Sequence, residues 1–158
     1  MKGRTMIIGI LLISLFIVLD QITKAVAFKY FTLLQTYKCL PGLFRISLVE
    51  NTGGAWGIFS GKLWFFIIIT ILSLGIFAYL MKDFDLKENT LYSVCLILIV
   101  SGTIGNFIDR IFLGYVRDFL TFDFISFPSF NFADMCMTIG VILLMFEILF
   151  GATGKKWK

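Results

Sequence analysis

The chain has 158 residues, of which 59% are hydrophobic, and it carries a net charge of +4 with a mean hydropathy of +0.95. An ordinary soluble domain is about 45–50% apolar, so this composition indicates a protein that lies in a membrane. Apolar runs recur along almost the whole length, which predicts a single integral membrane domain over residues 1–158. The scattered basic residues suit lipid headgroups, so we expect membrane lipids as partners and no nucleic acid.

Four apolar segments predict four transmembrane helices. The first follows Lys2 and Arg4 and imitates a secretory signal peptide, but no cleavage site follows Leu19, so an uncleaved helix is expected. The predicted helices cover approximately residues 5–28, 63–81, 89–110 and 131–151. The predicted fold is therefore an all-α membrane protein with a small extracytoplasmic β element between helices 1 and 2.

Two longer segments join the helices on one face of the membrane. In the first, Leu40-Pro41-Gly42 indicates a turn, and the alternation over residues 44–48 predicts a short half-buried strand or hairpin. The second, from Phe119 to Phe130, is dense in phenylalanine, so we expect it to lie along the membrane surface.

Four passes place both termini on the same side of the membrane. The 14 lysine and arginine residues divide equally between the two faces, but the tails and the turn between Lys82 and Lys87 are much shorter than the segments opposite. Basic density therefore favours the termini and this turn in the cytoplasm, with segments 21–62 and 110–131 outside.

The chain contains no histidine, and this absence excludes much enzyme chemistry. A zinc site of the HExxH kind and a Ser-His or Cys-His nucleophile pair both require that residue. No distinctive serine accompanies Lys24 as a possible base. The three cysteines lack CxxC spacing, so Cys95 and Cys136 are interpreted as small hydrophobic residues and Cys39 as a loop thiol without a special role.

Carboxylates gather at the outer face and are the remaining candidate catalysts. The helical rise places Asp20, Asp109 and Asp134 near one membrane level, where several charges together suggest a hydrated polar site. Two nearby carboxyls can share one proton, one acting as a base toward water and the other as an acid toward a carbonyl. That chemistry is peptide hydrolysis, and it needs no metal and no cofactor. The six outer acids are Asp20, Glu50, Asp109, Asp118, Asp123 and Asp134.

A simpler interpretation is that these acids pair with basic residues and hold the helices together. We favour that interpretation for Asp20 with Lys24 and for Asp109 with Arg110, because each acid has a basic neighbour.

Asp134 is different, because it has no basic neighbour in sequence and follows Asn131 on the same helical turn. It is the best candidate for a general acid or base. Its partner remains open, since Asp118 also has a basic neighbour, Arg117.

Five short motifs resemble those of the lipoprotein signal peptidase family, the aspartic membrane proteases also known as signal peptidase II. In order they are Asp20-x-x-x-Lys24, Asn51-x-Gly53-x-Ala55-Trp56, Gly102-x-x-Gly105-Asn106-x-x-Asp109-Arg110, Val116-x-Asp118-Phe119 and Phe130-Asn131-x-Ala133-Asp134. The resemblance implies that Asp118 and Asp134 form the catalytic dyad.

The resemblance also implies roles for the other motif residues. Those expected to shape and support the substrate pocket are Asp20, Lys24, Asn51, Gly53, Ala55, Gly102, Asn106, Asp109, Arg110 and Asn131. Two positions depart from the pattern, since Gly54 stands where alanine is usual and Met135 where serine is usual.

The substrate implied by the resemblance is a prolipoprotein whose lipobox cysteine bears diacylglycerol. Cleavage would occur just before that cysteine, on the outer face of the bacterial cytoplasmic membrane, and we expect a monomeric enzyme. The alternative is a small ion- or proton-coupled transporter, whose intramembrane carboxylate would be Glu147. An interface position, or a partner on another helix, is the simpler interpretation of that residue.

Overall fold

The computed structural model describes residues 2–151, which form four long helices and a three-stranded sheet. The helices are α1 (Lys2–Tyr30), α2 (Leu63–Leu80), α3 (Thr90–Leu113) and α4 (Phe132–Phe150). Each is long and apolar enough to cross a membrane, as predicted. The tail lysines that add to the basic density of the predicted cytoplasmic face, Lys155, Lys156 and Lys158, lie outside the described residues.

Two helices extend further than the sequence predicted. Helix α1 reaches Tyr30 rather than residue 28, and α3 reaches Leu113 rather than residue 110. Helix α3 ends where Gly114 takes a left-handed conformation (φ 84°) and donates its N–H to the carbonyl of Arg110. The charged residues near the end of α3 therefore lie inside the helix, which fixes the direction of their side chains.

Helix α3 occupies the centre of the bundle and packs against α1, α2 and α4. Small residues allow its close approach to α4: a Cβ atom on Gly102 would collide with the Ala133 carbonyl, and one on Gly140 would lie 2.7 Å from Ile99 Cγ1. Interfaces with small residues are typical of membrane bundles, where tight packing replaces the hydrophobic driving force.

The sheet covers the end of the bundle opposite the 81–89 turn. Strands β1 (Thr36–Leu40) and β2 (Phe44–Asn51) form an antiparallel hairpin, as predicted from the turn sequence. Strand β3 (Val116–Phe122) follows α3 and pairs antiparallel with β2, giving the order β1-β2-β3.

Strand β3 extends the predicted β element, because it joins the hairpin between helices 1 and 2 as a third strand. The segment from Phe119 to Phe130, which we expect to lie along the membrane surface, begins inside this strand. Phe119 is only 8% exposed and packs against Ala27 and Leu48, because β2 offers hydrogen-bonding partners to a strand that returns from α3.

Candidate active site

A cavity of about 430 Å³ opens where the sheet meets the ends of α3 and α4. Both Asp118 and Asp134 line it, so the structure brings the two sequence-predicted aspartates to one space. The other predicted site residues in its wall are Asn51, Gly53, Ala55, Asn106 and Arg110.

Asp134 is positioned by the first turn of α4. Asn131 caps the helix by accepting a hydrogen bond from the Asp134 N–H at 3.0 Å, and the Asp134 carboxylate accepts the Asn131 N–H at 3.0 Å. The second carboxylate oxygen accepts a hydrogen bond from Asn106 Nδ2 at 2.7 Å. Burial disfavours charge on Asp134, whereas the amino end of the helix and these N–H donors stabilise its ionised form.

Asp118 lies on β3 and is almost fully buried. Its two oxygens accept hydrogen bonds from Asn131 Nδ2 at 2.7 Å and from Asn51 Nδ2 at 2.9 Å. Burial and the nearby charge of Asp134 nevertheless raise the pKa of Asp118 to about 7, in opposition to these two amide donors. Asp118 can therefore carry a proton at neutral pH.

Two asparagine side chains join the aspartates. Asn131 Nδ2 donates both to Asp118 and, at 3.1 Å, to Asn106 Oδ1, while Asn106 Nδ2 donates to Asp134. Asn131 is fully buried, although the sequence offered no physical reason beyond helix capping to select it. The four side chains form one connected polar group.

A buried ionic network lies behind this group. Lys24 Nζ is 2.8 Å from the Asp20 carboxylate, as the sequence predicted, and 3.5 Å from that of Asp109. The predicted pairing of Asp109 with Arg110 is wrong, because the close partner of Asp109 is Arg117 at 2.7 Å.

The change of partner follows from strand geometry. Arg117 and Asp118 are consecutive on β3 and so project to opposite faces, which takes Arg117 to Asp109 and Asp118 to the cavity. Arg110 also lines the cavity, with its guanidinium 4.8 Å from the centre of the Phe66 ring. It donates to the Gly53 carbonyl at 3.3 Å.

The glycine and alanine positions of the motifs have distinct surroundings. A Cβ atom on Gly53 would lie 2.8 Å from the Ile58 carbonyl oxygen, so this tight loop excludes a side chain. Gly102 lets α3 approach α4 below the cavity. Ala55 is exposed and contributes directly to the cavity wall.

The two departures from the family pattern fit the structure. At Gly54 a Cβ atom would make ordinary contact with the Phe66 ring at 3.5 Å, so the site has room for the usual alanine. Met135 is 37% exposed and lines the cavity directly beside Asp134.

Sequence reasoning missed Gln21. Its amide donates to Asp20, Asp109 and the Gly105 carbonyl, and its oxygen accepts from Arg117 at 2.8 Å. The available signal was a polar residue adjacent to Asp20 within a transmembrane helix, where polar side chains seek partners.

An aromatic contact at the cavity was also missed. The rings of Trp56 and Phe127 meet edge to face, with centroids 5.5 Å apart, and connect the loop after β2 to the loop after β3. Glu147 lies far along α4 from this site and is 9% exposed.

Two carboxyls, Asp118 buried and Asp134 half-buried, share a cavity at one end of a membrane-crossing bundle, and this arrangement is expected of a membrane aspartic peptidase. The model of the family described as signal peptidase (SPase) II matches residues 12–150. The chain therefore belongs to the signal peptidase II family and is a membrane protease.

Relatives and solved structures agree with this assignment. The chain is 41% identical over 140 residues to the lipoprotein signal peptidase of Lactiplantibacillus plantarum, covering 89% of this chain and 92% of the relative. It is 36% identical over 153 residues to that of Enterococcus faecalis, covering 97% and 94%. A solved bacterial membrane enzyme superposes with a TM-score of 0.84 at 37% identity, covering 95% of this chain and 92% of the other. These similarities give no support to the transporter alternative.

Proposed function

We propose that the chain removes signal peptides from prolipoproteins by cutting just before the diacylglyceryl-modified lipobox cysteine. Its relatives are named lipoprotein signal peptidases, which supports this substrate class. The observation that carries the proposal is that Asp118 and Asp134 line one cavity and are joined through the amides of Asn131 and Asn106.

The different surroundings of the aspartates suggest their roles. Asp134, as a carboxylate, removes a proton from a water molecule that attacks the scissile carbonyl, while protonated Asp118 donates its proton to the carbonyl oxygen. The tetrahedral intermediate then collapses. Asp134 protonates the departing cysteine nitrogen, the C–N bond breaks, and a hydroxyl proton returns to Asp118, so that both carboxyls regain their starting states.

The cavity wall suits a lipid-modified peptide. Its polar end holds the aspartates, whereas Met135, Ile139 and Phe127 contribute apolar surface. A signal helix and acyl chains that both lie in the bilayer bring the scissile bond to this level, which supplies proximity without extensive contacts to a soluble domain. Since one chain provides the whole cavity wall, we propose that the enzyme acts as a monomer.

Substitution of each aspartate tests the proposal. Asp118→Asn and Asp134→Asn should each lower cleavage of a diacylglyceryl-modified precursor by at least about 10³-fold, measured with purified protein in lipid or detergent, because each amide lacks the required acid or base function.

Asp123→Asn is the matched control. This outer aspartate lies past the end of β3 and is 3.9 Å from Arg45, so its loss should leave cleavage within about twofold. Normal turnover by either dyad variant, with normal membrane insertion, would disprove the assignment.

A further inference from the structure

Lys24 is a fully buried ammonium that connects the ionic network to the amides around the dyad. Its Nζ donates to the Asp20 carboxylate at 2.8 Å and to Asn106 Oδ1 at 2.9 Å. The first bond lies within α1, but the second crosses to α3 and reaches the side chain that contacts Asp134. A residue needed only to pair with Asp20 would not require this second contact.

The chemistry of the ammonium determines the orientation of Asn106. A lysine ammonium can donate hydrogen bonds but cannot accept them, so the Asn106 oxygen must face Lys24. The Asn106 oxygen also accepts from Asn131 Nδ2, which leaves Asn106 Nδ2 to donate to Asp134 at 2.7 Å. A reversed Asn106 amide would instead place its NH₂ group against two donors and its oxygen against the carboxylate.

We propose that Lys24 is a positioning residue of the dyad, a proposal that rests on the proposed function. The Lys24 ammonium fixes the Asn106 amide toward Asp134 and keeps the dyad from taking up a second proton. Lys24 does not touch the reacting atoms in this role. It acts through Asn106 and through its charge.

The charges at this end of the bundle support the electrostatic part. The cations are Lys24 of α1, Arg110 of α3 and Arg117 of β3, and the anions behind the cavity are Asp20 of α1 and Asp109 of α3. Glu50 of β2 lies opposite Arg117 in the sheet but is exposed, so solvent screens its charge. With a single negative charge on Asp118 and Asp134 together, the five buried or partly buried flanking charges and the dyad sum to zero. Removal of Lys24 leaves an excess negative charge, which favours a second proton on the dyad.

The surroundings of Asp118 agree with this direction. Burial and Asp134 raise the pKa of Asp118, whereas the Asn51 and Asn131 amides and the charge of Lys24 lower it. Loss of Lys24 should therefore raise that pKa further and extend the range over which Asp118 keeps its proton.

Lys24→Met tests both parts, because methionine fills much of the same volume without donors or charge. We expect kcat for a diacylglyceryl-modified precursor peptide to fall about 10- to 100-fold with KM changed less than about threefold. Both limbs of the pH profile of kcat/KM should move about one pH unit to higher pH. Lys24→Arg, which keeps the charge and the donors, should restore the wild-type pH profile.

Gln21→Met is the matched control for a structural role. Gln21 lies on the same helix and bonds to Asp20, Asp109 and Arg117, so its loss disturbs the same ionic network without changing the charge. This variant should lose thermal stability to a similar extent but keep kcat within about threefold and leave the pH profile unmoved. Thermal unfolding is measured in the same detergent for both variants.

Several results would overturn the proposal. One is a pH profile of kcat/KM that does not move in Lys24→Met. Another is a shift of that profile in Gln21→Met as large as the shift in Lys24→Met. If Lys24→Met does not accumulate, Lys24→Gln removes the charge while retaining a donor, and it should show the same shift. Failure of both neutral variants to fold would also refute the proposal, because it would make Lys24 a purely structural residue.

The parallel assay of Asp134→Asn distinguishes failure of the proposed dyad from failure of the proposed role of Lys24. An active Asp134→Asn variant would refute the dyad itself. An inactive one, together with a normal pH profile in Lys24→Met, would refute only the role of Lys24.

Discussion

Asp118 and Asp134 carry the same functional group in different surroundings. Asp134 receives backbone and amide N–H donors at the start of a helix, whereas Asp118 is buried within a sheet beside another carboxyl. Both aspartates accept amide N–H bonds, but Asp134 alone of the two also lies at the amino end of a helix and accepts a backbone N–H, so we assign the carboxylate to Asp134 and the carboxylic acid to Asp118. Two identical residues can therefore take the complementary roles that peptide hydrolysis requires.

The pKa of Asp118 predicts the alkaline limit of activity. The proposed mechanism requires protonated Asp118, and its pKa is raised to about 7 chiefly by burial and then by Asp134. Cleavage should therefore decline as pH rises through about 7, approaching a tenfold loss per pH unit, as measured by kcat/KM in a nondenaturing buffer series. A rate that stays constant from pH 6 to 9 would contradict the assignment of Asp118 as the acid.

The raised pKa of Asp118 also makes the stability of the folded protein decrease as pH rises. Because the folded state raises the pKa of Asp118 above its ordinary value of 3.8, the folded protein binds this proton more tightly than the unfolded chain. The contribution of this group to stability is thus greatest at low pH and is lost as pH rises toward about 7. Thermal scans of the inactive Asp118→Asn variant provide the comparison, since this variant lacks the titration.

The sequence allowed Asp134 to be selected but not its partner. The Asn131-x-x-Asp134 spacing places both side chains at the first turn of a helix, which is a local property. Asp118 instead depends on the path of β3, whose partner strand lies more than 60 positions earlier in the chain. The sequence also did not predict the pairing of Arg117 with Asp109, because consecutive residues on a strand project to opposite faces and so Arg117 points away from Asp118.

At the scale of elements, the α3–α4 interface sets the geometry of the site. Gly102 faces the Ala133 carbonyl, one residue before Asp134, so the spacing between these helices determines where the dyad lies. The length of the apolar segments predicted all four helices, since a bilayer imposes that length. No local sequence pattern predicted the close approach of α3 to α4, because it depends on which residue of α4 each glycine of α3 faces.

Gly102→Ala should therefore disturb both packing and catalysis. The added methyl group would collide with the Ala133 carbonyl and lie 2.7 Å from Met137 Cγ, forcing the helices apart. We expect a loss of about 1–3 kcal/mol in the free energy of unfolding and at least a tenfold drop in cleavage, measured by thermal unfolding in detergent and by precursor assay.

Gly75→Ala is the control for this substitution. Gly75 lies in α2, and a Cβ atom there would have nothing within 4 Å. This variant should match the wild type in activity and equal or exceed it in stability, because alanine is the better helix former. Equal behaviour of the two variants would contradict the importance of the α3–α4 contact.

At the scale of the whole molecule, the two ends of the bundle are chemically different. The end beneath the sheet holds the buried ionic network and the cavity, whereas the other end has an apolar core of Phe84, Tyr92, Leu96 and Ile97. The orientation of this axis across the membrane decides which compartment the site faces. Basic-residue density predicts that the sheet end is outside, because the short tails and the 82–87 turn carry as many basic residues as the longer segments at the sheet end.

A cysteine of the chain itself provides a test of orientation. Cys39 is exposed on β1, whereas Cys95 and Cys136 are buried within α3 and α4. If the sheet lies outside, a membrane-impermeant maleimide added to intact cells should label the protein at Cys39, and Cys39→Ser should abolish that labelling.

The opposite side is tested by moving the thiol. Lys87 is exposed in the turn before α3, at the end of the bundle away from the sheet. Lys87→Cys in the Cys39→Ser background therefore places one accessible thiol at that end, while the buried thiols of Cys95 and Cys136 stay unreactive. Labelling of that variant should require permeabilised cells, since a charged reagent does not cross the apolar core of the bilayer. The opposite result is labelling of Lys87→Cys in intact cells together with no labelling of the wild type at Cys39. That result would reverse the predicted topology and place the aspartates at the cytoplasmic face, where a translocated prolipoprotein would not meet them.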